Sequence, residues 1–566
     1  MQHFKHIVMK NRYLKHGQTL LLALLIIGLA ACKKDSFLNV PPKGSLTDAS
    51  TFSSQANADL FVNDIYNQLP DINNEDEVLD QYTDNDFVGA SWMQGQSIVR
   101  SNSMNPTNVP RGPSGSFNWG TEYGNIRKCN VFLQDVAKNK GNFSPTWYTQ
   151  RVAEVTYLRA FFYSILYTNY GGVPLITTPL NNTNGTDIFV ARGTADQTLA
   201  FIEADCDAAG AGLPVKAAQS GRATSGAALT LKGWVELFAA SPLSNASNDV
   251  SKWAKAAATN LQVINLNQYT LFPDYSAQFL ASNNWNSETI FARGYAAPSK
   301  GHKREGMLGP VIVHGGEQAW GNLAPTQNLV DDYEMDNGLP ITDPASGYDP
   351  QHPYTHREQR FYQSVVYDGS TWQGDTWESR IGGNNQIDLG SSSDISNTGY
   401  NGKKTLDESI NGQASLGTSP NTSNYTFYRY AEVLLSYAEA QNEAVGPDAT
   451  VYSAVNLVRS RSALPNLPVG LTQAQMRIDI RRERRIELAL EDKRWYDIRR
   501  WDITTGPNGV LTTAEYGMLI KANALGNLTY APVQVYKNSF SEYMNWLPIP
   551  QSVMEQNKKL TQNPGY

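Results

Sequence analysis

The strongest constraint on this chain is a succession of helix-length stretches whose apolar residues recur at helical spacing and arrive close together, with short breaks between them. The longest, residues 146–170, carries Val152, Val155, Leu158, Phe161, Phe162, Ile165 and Leu166 on one wide side, and Gly171-Gly172-Val173-Pro174 stops it. Residues 56–69 repeat the pattern with Leu60, Phe61, Ile65 and Leu69. Residues 194–209, 225–240 and 252–266 are of similar length, and 424–445 is parted from 449–461 at Gly446-Pro447. Residues 472–501 open with Thr472 and Gln475 at capping-box spacing. Helices of this kind share a core by stacking on their neighbours, so the expectation is a mainly α chain built as a helical-repeat scaffold. No clean repeat of about 34 residues accompanies them, so self-similarity alone does not establish the repeat.

Long irregular stretches interrupt the helices at residues 70–120, 298–325 and 340–420, rich in Gly, Asn, Ser, Asp and Trp. Trp372 and Trp377 flank Asp375 in what reads as a strand pair, the minor β component. Long loops on a rigid scaffold are where binding residues normally sit.

The amino terminus reads as a sorting signal. Lys5, Lys10, Arg12 and Lys15 precede an apolar run over residues 20–31, too short for a spanning helix of about 20 residues. It ends in Leu29-Ala30-Ala31-Cys32, which is similar to a bacterial lipobox, with Cys32 the site of lipid attachment. Several lipid chains, each methylene worth about 0.8 kcal/mol, make a durable anchor. The expected organisation is a signal peptide over 1–31, a lipid-anchored tether over 32–50, and one domain over 51–566 with loop-rich insertions near 70–120 and 285–420.

The formal charge is −7, and the first thirty-one residues hold four basic side chains and no acidic one, so the remainder is more acidic still. That balance disfavours nucleic acid as a partner. Cys129 and Cys206 remain for at most one disulfide, and helix burial explains each singly.

Four segments in order resemble the SusD/RagB family of Bacteroidetes nutrient-binding lipoproteins. They are Tyr157-Leu158-Arg159-Ala160-Phe161-Phe162-Tyr163 running to Tyr170-Gly171-Gly172-Val173-Pro174; Tyr428-Arg429-Tyr430-Ala431-Glu432 with Tyr437-Ala438-Glu439-Ala440; Arg482-Glu483-Arg484-Arg485 through to Arg494-Trp495-Tyr496-Asp497; and Leu547-Pro548-Ile549-Pro550 to Asn563-Pro564-Gly565-Tyr566. The resemblance implies tetratricopeptide-like helix pairs, a loop-rich ligand region, and surface exposure on the outer membrane. It also implies a partner, a TonB-dependent barrel of the SusC type, to which captured glycan is delivered. Its RagB branch implies peptide capture instead, and helical repeats also serve as protein–protein scaffolds. From spacing alone, Arg484, Glu487, Glu491 and Arg494 read as a salt-linked helix surface, and Trp495 and Trp501 as core anchors.

Catalytic signatures are not found. His352 and His356 have Pro353 between them, against the helix that zinc-protease spacing needs. Gly112-Pro113-Ser114-Gly115 lacks nucleophile-elbow spacing, and acidic pairs such as Asp84/Asp86 arise readily among 53 acidic residues. The expectation is a binding protein, not an enzyme, with no cofactor and no metal. Calcium stays open, because Asp71, Asn73 and Glu75 imitate the start of a calcium loop, although Asp76 stands where that loop needs Gly.

A glycan presents an apolar C–H face, which flat rings cover, and a hydroxyl rim, which Asp, Asn, Gln and Arg satisfy. With 29 Tyr and 12 Trp, most rings are core, so the ligand candidates are loop aromatics and their polar neighbours. The expected contacts are Trp92 with Tyr82, Asp84, Asp86 and Arg100; Trp320 with Tyr295; and Trp377. Trp119 and Tyr123, four apart, read as helix core.

Overall fold

The computed structural model describes residues 48–180, 185, 187–390 and 393–566. The signal peptide, Cys32 and most of the tether therefore lie outside the described residues. The chain divides into two units, residues 1–58 and 59–566. Of the first, the described part contains the short helix Asp48–Thr51.

The second unit is organised by long helices. They are α1 (Gln55–Asn67, in this unit from Asp59), α2 (Trp119–Lys138), α3 (Pro145–Tyr170), α4 (Ala195–Gly212), α5 (Ser225–Ala240), α6 (Val250–Asn265), α7 (Tyr430–Val445), α8 (Ala449–Arg461), α9 (Gln473–Glu487) and α10 (Arg494–Arg500). From α2 to α6 each packs on the next; α6 packs on α7, and α7 carries both α8 and α9. This is a tetratricopeptide-like stack. From Ala153 onward α3 is buried on nearly every side, so the wide apolar face read from its sequence is a central position in the stack. Side chains close the helix ends: the Thr194 hydroxyl accepts from Gln197 N while the Gln197 amide oxygen accepts from Thr194 N, and Thr472 and Gln475 repeat the exchange at α9.

Two expectations are corrected. Residues 425–429 form a strand, not the first turn of a helix. This strand (β2, Tyr425–Arg429) pairs antiparallel with β1 (Thr289–Arg293), Arg293 opposite Tyr425 and Thr289 opposite Arg429. The stretch expected as one helix over 472–501 is broken between Glu487 and Arg494, where Leu490 and Asp492 take positive φ.

The break serves a buried ion network instead of a salt-linked surface. Arg429 reaches Glu288 at 2.7 Å, Glu487 at 2.6 Å and Glu491 at 2.6 Å, while Arg484 holds Asp497 at 2.9 Å and Arg500 holds Glu439 at 2.6 Å, all out of water. Burial alone would raise the Glu439 carboxyl, but the Arg500 guanidinium holds it down at about 2. Trp495 and Trp501 are core, as read. Cys129 and Cys206 are both free and buried.

The irregular stretches rest on a core of their own. Val78, Leu308, Leu329, Tyr333, Phe361, Trp372, Trp377, Tyr400, Ile486 and Leu490 build a hydrophobic cluster under them. A long hairpin, β3 (Ala514–Ala522) with β4 (Leu528–Lys537), adds Met518 and Ile520 to it.

Candidate functional site

A cleft of about 690 Å³ opens where α1, the α4–α5 connection and the two ends of β1 meet. From α1 and the chain after it come Asn63, Tyr66, Asn67, Asp71 and Asn74. The α4–α5 connection supplies Gln219, Gly221 and Arg222. Trp285 precedes β1, and Arg293, Gly294, Tyr295 and Lys300 follow from its far end. One indole, two phenols and four side-chain amides thus face one opening, with the cleft size in the range of small-ligand sites.

Most charged groups of the lining are paired within the protein. Arg222 pairs with Glu154 at 2.8 Å and donates to Asn63 at 3.1 Å and Gln219 at 2.7 Å. Asp59 pairs with Arg151 at 2.6 Å. Arg293 donates to the Asn67 carbonyl at 3.1 Å and to that of Leu69, with Asp71 at 3.6 Å. Asp71 accepts from the Tyr295 hydroxyl at 2.7 Å. Burial and this carboxylate push the Tyr295 phenol far above its ordinary range, so it remains a donor. Lys300 donates to the Asn67 amide oxygen at 3.0 Å.

Of the expected contacts, Tyr295 lines this cleft. Trp92 is 51 % exposed, just ahead of the helix Gln94–Arg100, but it is not part of the cleft lining. Trp320 is half-buried and packs on the hydrophobic cluster. The remaining five are corrected, because each is buried within the protein. Tyr82 sits edge-on to Phe117 and Trp495. Asp84 is clamped by Arg485 and Arg494, each at 2.9 Å; burial opposes its charge, but the two guanidiniums hold it well below the usual carboxylate range. Asp86 accepts from Ala324 N at 2.6 Å. Arg100 pairs with Glu515 and donates to the Gln81 carbonyl at 2.6 Å. Trp377 belongs to the cluster. Residues 82–100 pack against α9, α10 and β3, whose charged groups Asp84 and Arg100 meet.

The calcium-like segment is similarly engaged. Asn73 donates to the Ser423 carbonyl at 3.2 Å and accepts from Arg304 at 3.3 Å, while Asp71 faces Tyr295 and Asn74. Among the described residues no group of three or more His, Cys, Asp or Glu side chains is placed to hold a metal ion. Trp119 is buried in α2, with Tyr123 half-buried beside it at 5.1 Å between ring centroids.

Sequence reasoning missed Trp285, Tyr66 and the α4–α5 connection. The signal available was Ser282-Asn283-Asn284-Trp285-Asn286-Ser287, a tryptophan set among small polar residues. Trp285 takes φ +59°, a backbone state bulky residues rarely adopt.

A SusD family model matches residues 287–566, and a model described as starch-binding associating with outer membrane matches residues 36–235. The chain belongs to the SusD/RagB family. The SusD-like protein P2 of Formosa agariphila is 42 % identical over 109 residues, 18 % of this chain and 22 % of that protein. A SusD-like protein from Bacteroides fragilis has a solved structure matching with TM-score 0.76 and 26 % identity, covering 92 % of this chain and 99 % of the other. A second B. fragilis structure, described as a SusD-like carbohydrate binding protein, matches with TM-score 0.75 and 24 % identity over 90 % of this chain and 100 % of the other. The SusD-type stack of helices with loops above it is therefore shared over nearly the whole chain.

Proposed function

We propose that this SusD/RagB chain captures an uncharged oligo- or polysaccharide in the cleft around Trp285 and delivers it to a SusC-type TonB-dependent barrel in the outer membrane. Cys32 would be its lipid anchor, with a tether over 32–50 and a single binding domain over 51–566. No described helix is long and apolar enough to cross a membrane, in keeping with a lipid-held protein.

The observation that carries the ligand reading is the composition of the cleft: rings from Trp285, Tyr66 and Tyr295 among the amides of Asn63, Asn67, Asn74 and Gln219. Rings cover the C–H face of a sugar, and amides donate and accept at its hydroxyls. With Arg222, Arg293, Asp59 and Asp71 paired within the protein, Lys300, bonded to the Asn67 amide, is the lining charge left without a carboxylate partner among the described residues, which favours a ligand with little charge. The match to a starch-binding family model and the likeness to a SusD-like carbohydrate binding protein of B. fragilis point the same way. Trp92, open to solvent, and Trp320 are secondary contacts in this reading, for a longer chain leaving the cleft.

Contacts of about 0.5–1.5 kcal/mol per stacked ring give micromolar to millimolar affinity once ordering costs are met. Isothermal titration against starch, cellulose, xylan, mannan and laminarin oligosaccharides, beside oligopeptides, tests the proposal. Binding to at least one saccharide that is lost in Trp285→Ala supports it. Heat from peptides alone would replace it with the RagB-like alternative.

A further inference from the structure

We infer that Gly221 and Gly294 form a slot that positions the Trp285 indole in the cleft, so that the lack of a side chain at both is a requirement for ligand binding. The inference rests on the cleft being the saccharide site. A Cβ on Gly294 would stand 2.8 Å from Cζ2 of the indole, and one on Gly221 3.0 Å from Cη2. Ordinary carbon contacts lie near 3.5–4.0 Å, so neither methyl fits unless the ring moves. The two glycines come from separate parts of the chain, one from the α4–α5 connection and one from the end of β1, yet they meet the same edge of the same ring.

Their backbones differ in a useful way. Gly221 has φ +88°, where any side chain is strained whatever the space. Gly294 is not in that region, so alanine there is a steric intruder and nothing more.

The loop that carries Trp285 has little freedom to absorb the intrusion. The Asn283 amide donates to the Ala277 carbonyl at 2.8 Å. Asn284 donates to the Thr422 carbonyl at 2.7 Å and accepts from Asn424 N at 2.8 Å. Asn286 donates to the Gln278 carbonyl at 3.0 Å and accepts from Glu288 N at 2.9 Å. Three asparagines thus hold the turn that places Trp285 at φ +59°. A strained backbone over-determined by its surroundings is a mark of preorganisation. A ring already ordered before binding adds no entropy cost when the ligand arrives. A purely structural tryptophan needs burial among side chains. This one is half-buried, lies where side chains on Gly221 and Gly294 would stand, and lines the cleft.

The test is a double-mutant cycle by isothermal titration with the full chain. The probe is the tightest-binding member of maltohexaose, cellohexaose, xylohexaose, mannohexaose and laminarihexaose. Gly294→Ala is expected to weaken binding about tenfold, as much as Trp285→Ala does, and to add nothing once the indole is gone. Trimming the ring should rescue it, with Trp285→Phe/Gly294→Ala within about threefold of Trp285→Phe alone. Thermal melting of all variants controls for folding. Wild-type affinity in Gly294→Ala, or a loss that adds to that of Trp285→Ala, overturns the slot while leaving the cleft reading intact. A wild-type chain silent toward every saccharide overturns the cleft reading, and the slot falls with it.

Discussion

Two segments of this chain look alike as sequence and behave as opposites in the fold. Residues 79–100 and 281–301 each hold a tryptophan, a tyrosine, an arginine and several short polar residues outside the long helices. In the first, Tyr82, Asp84, Asp86 and Arg100 are buried; Asp84 meets Arg485 and Arg494, Arg100 meets Glu515, and one oxygen of Asp86 accepts from a main-chain N–H. In the second, Trp285, Arg293, Tyr295 and Lys300 edge an open cleft. The difference lies in what packs over each. The first is roofed by the broken helix α9–α10, whose guanidiniums require carboxylate partners once desolvated, and by β3, whose Glu515 takes Arg100. In the second, Trp285 and the residues after β1 stand at the rim of the cleft. A segment's polarity therefore does not tell a ligand site from a charge socket.

The largest expected effect would sharpen this contrast. Asp84→Ala leaves Arg494 buried without its carboxylate, and a loss of about 3–5 kcal/mol in denaturant melts is expected. A loss under about 1 kcal/mol would mean the socket is not one.

Acid should discriminate next. Asp84 and Glu439 are both held below their ordinary values, Glu439 from 4.5 to about 2. Each is ionised in the folded chain where the unfolded chain would bind a proton. Their stabilisation is complete above the ordinary carboxylate values and is lost as pH falls from about 4.5 toward 2. Melting temperature should fall across that window, and Arg500→Met should flatten the fall.

On the cleft side, Trp285→Ala should cut saccharide affinity about tenfold while shifting the melting temperature by no more than about 2 °C, read by titration and calorimetry on the same sample. A large drop in melting temperature would make Trp285 a core residue and erase the contrast. The smallest effect is expected for Trp92→Ala, at most about threefold in affinity for a long polysaccharide and none for a short oligosaccharide. Equal losses with both ligands would move the centre of the site toward residues 92–100.

Much of the scaffold was legible in residue order, because helix periodicity and caps are local. Residues 225–240 and 449–461 are helices with the bounds read from the sequence, and Thr472 with Gln475 closes a helix end as its spacing implied. The family was legible too, since its motifs are contiguous runs. Residues 425–429 were not: Tyr-Thr-Phe-Tyr-Arg continues smoothly into a helix, and only pairing with β1 makes it a strand. The alternating charges from Arg484 to Arg494 fit a solvated helix face by spacing. Burial by Glu288, Glu432 and Arg429, distant in sequence, turned them inward.

The site was the least legible part. Tyr295 could be named because it is an aromatic in a polar loop, but the same criterion also selected Tyr82 and Trp377, which are buried. Local order determined the helices, their ends and the family motifs, since each depends on residues within a few positions of one another. Which tryptophan faces solvent was decided by tertiary structure alone. Exposure depends on what the rest of the chain lays across a ring, and Gly221 and Gly294 reach Trp285 only after folding.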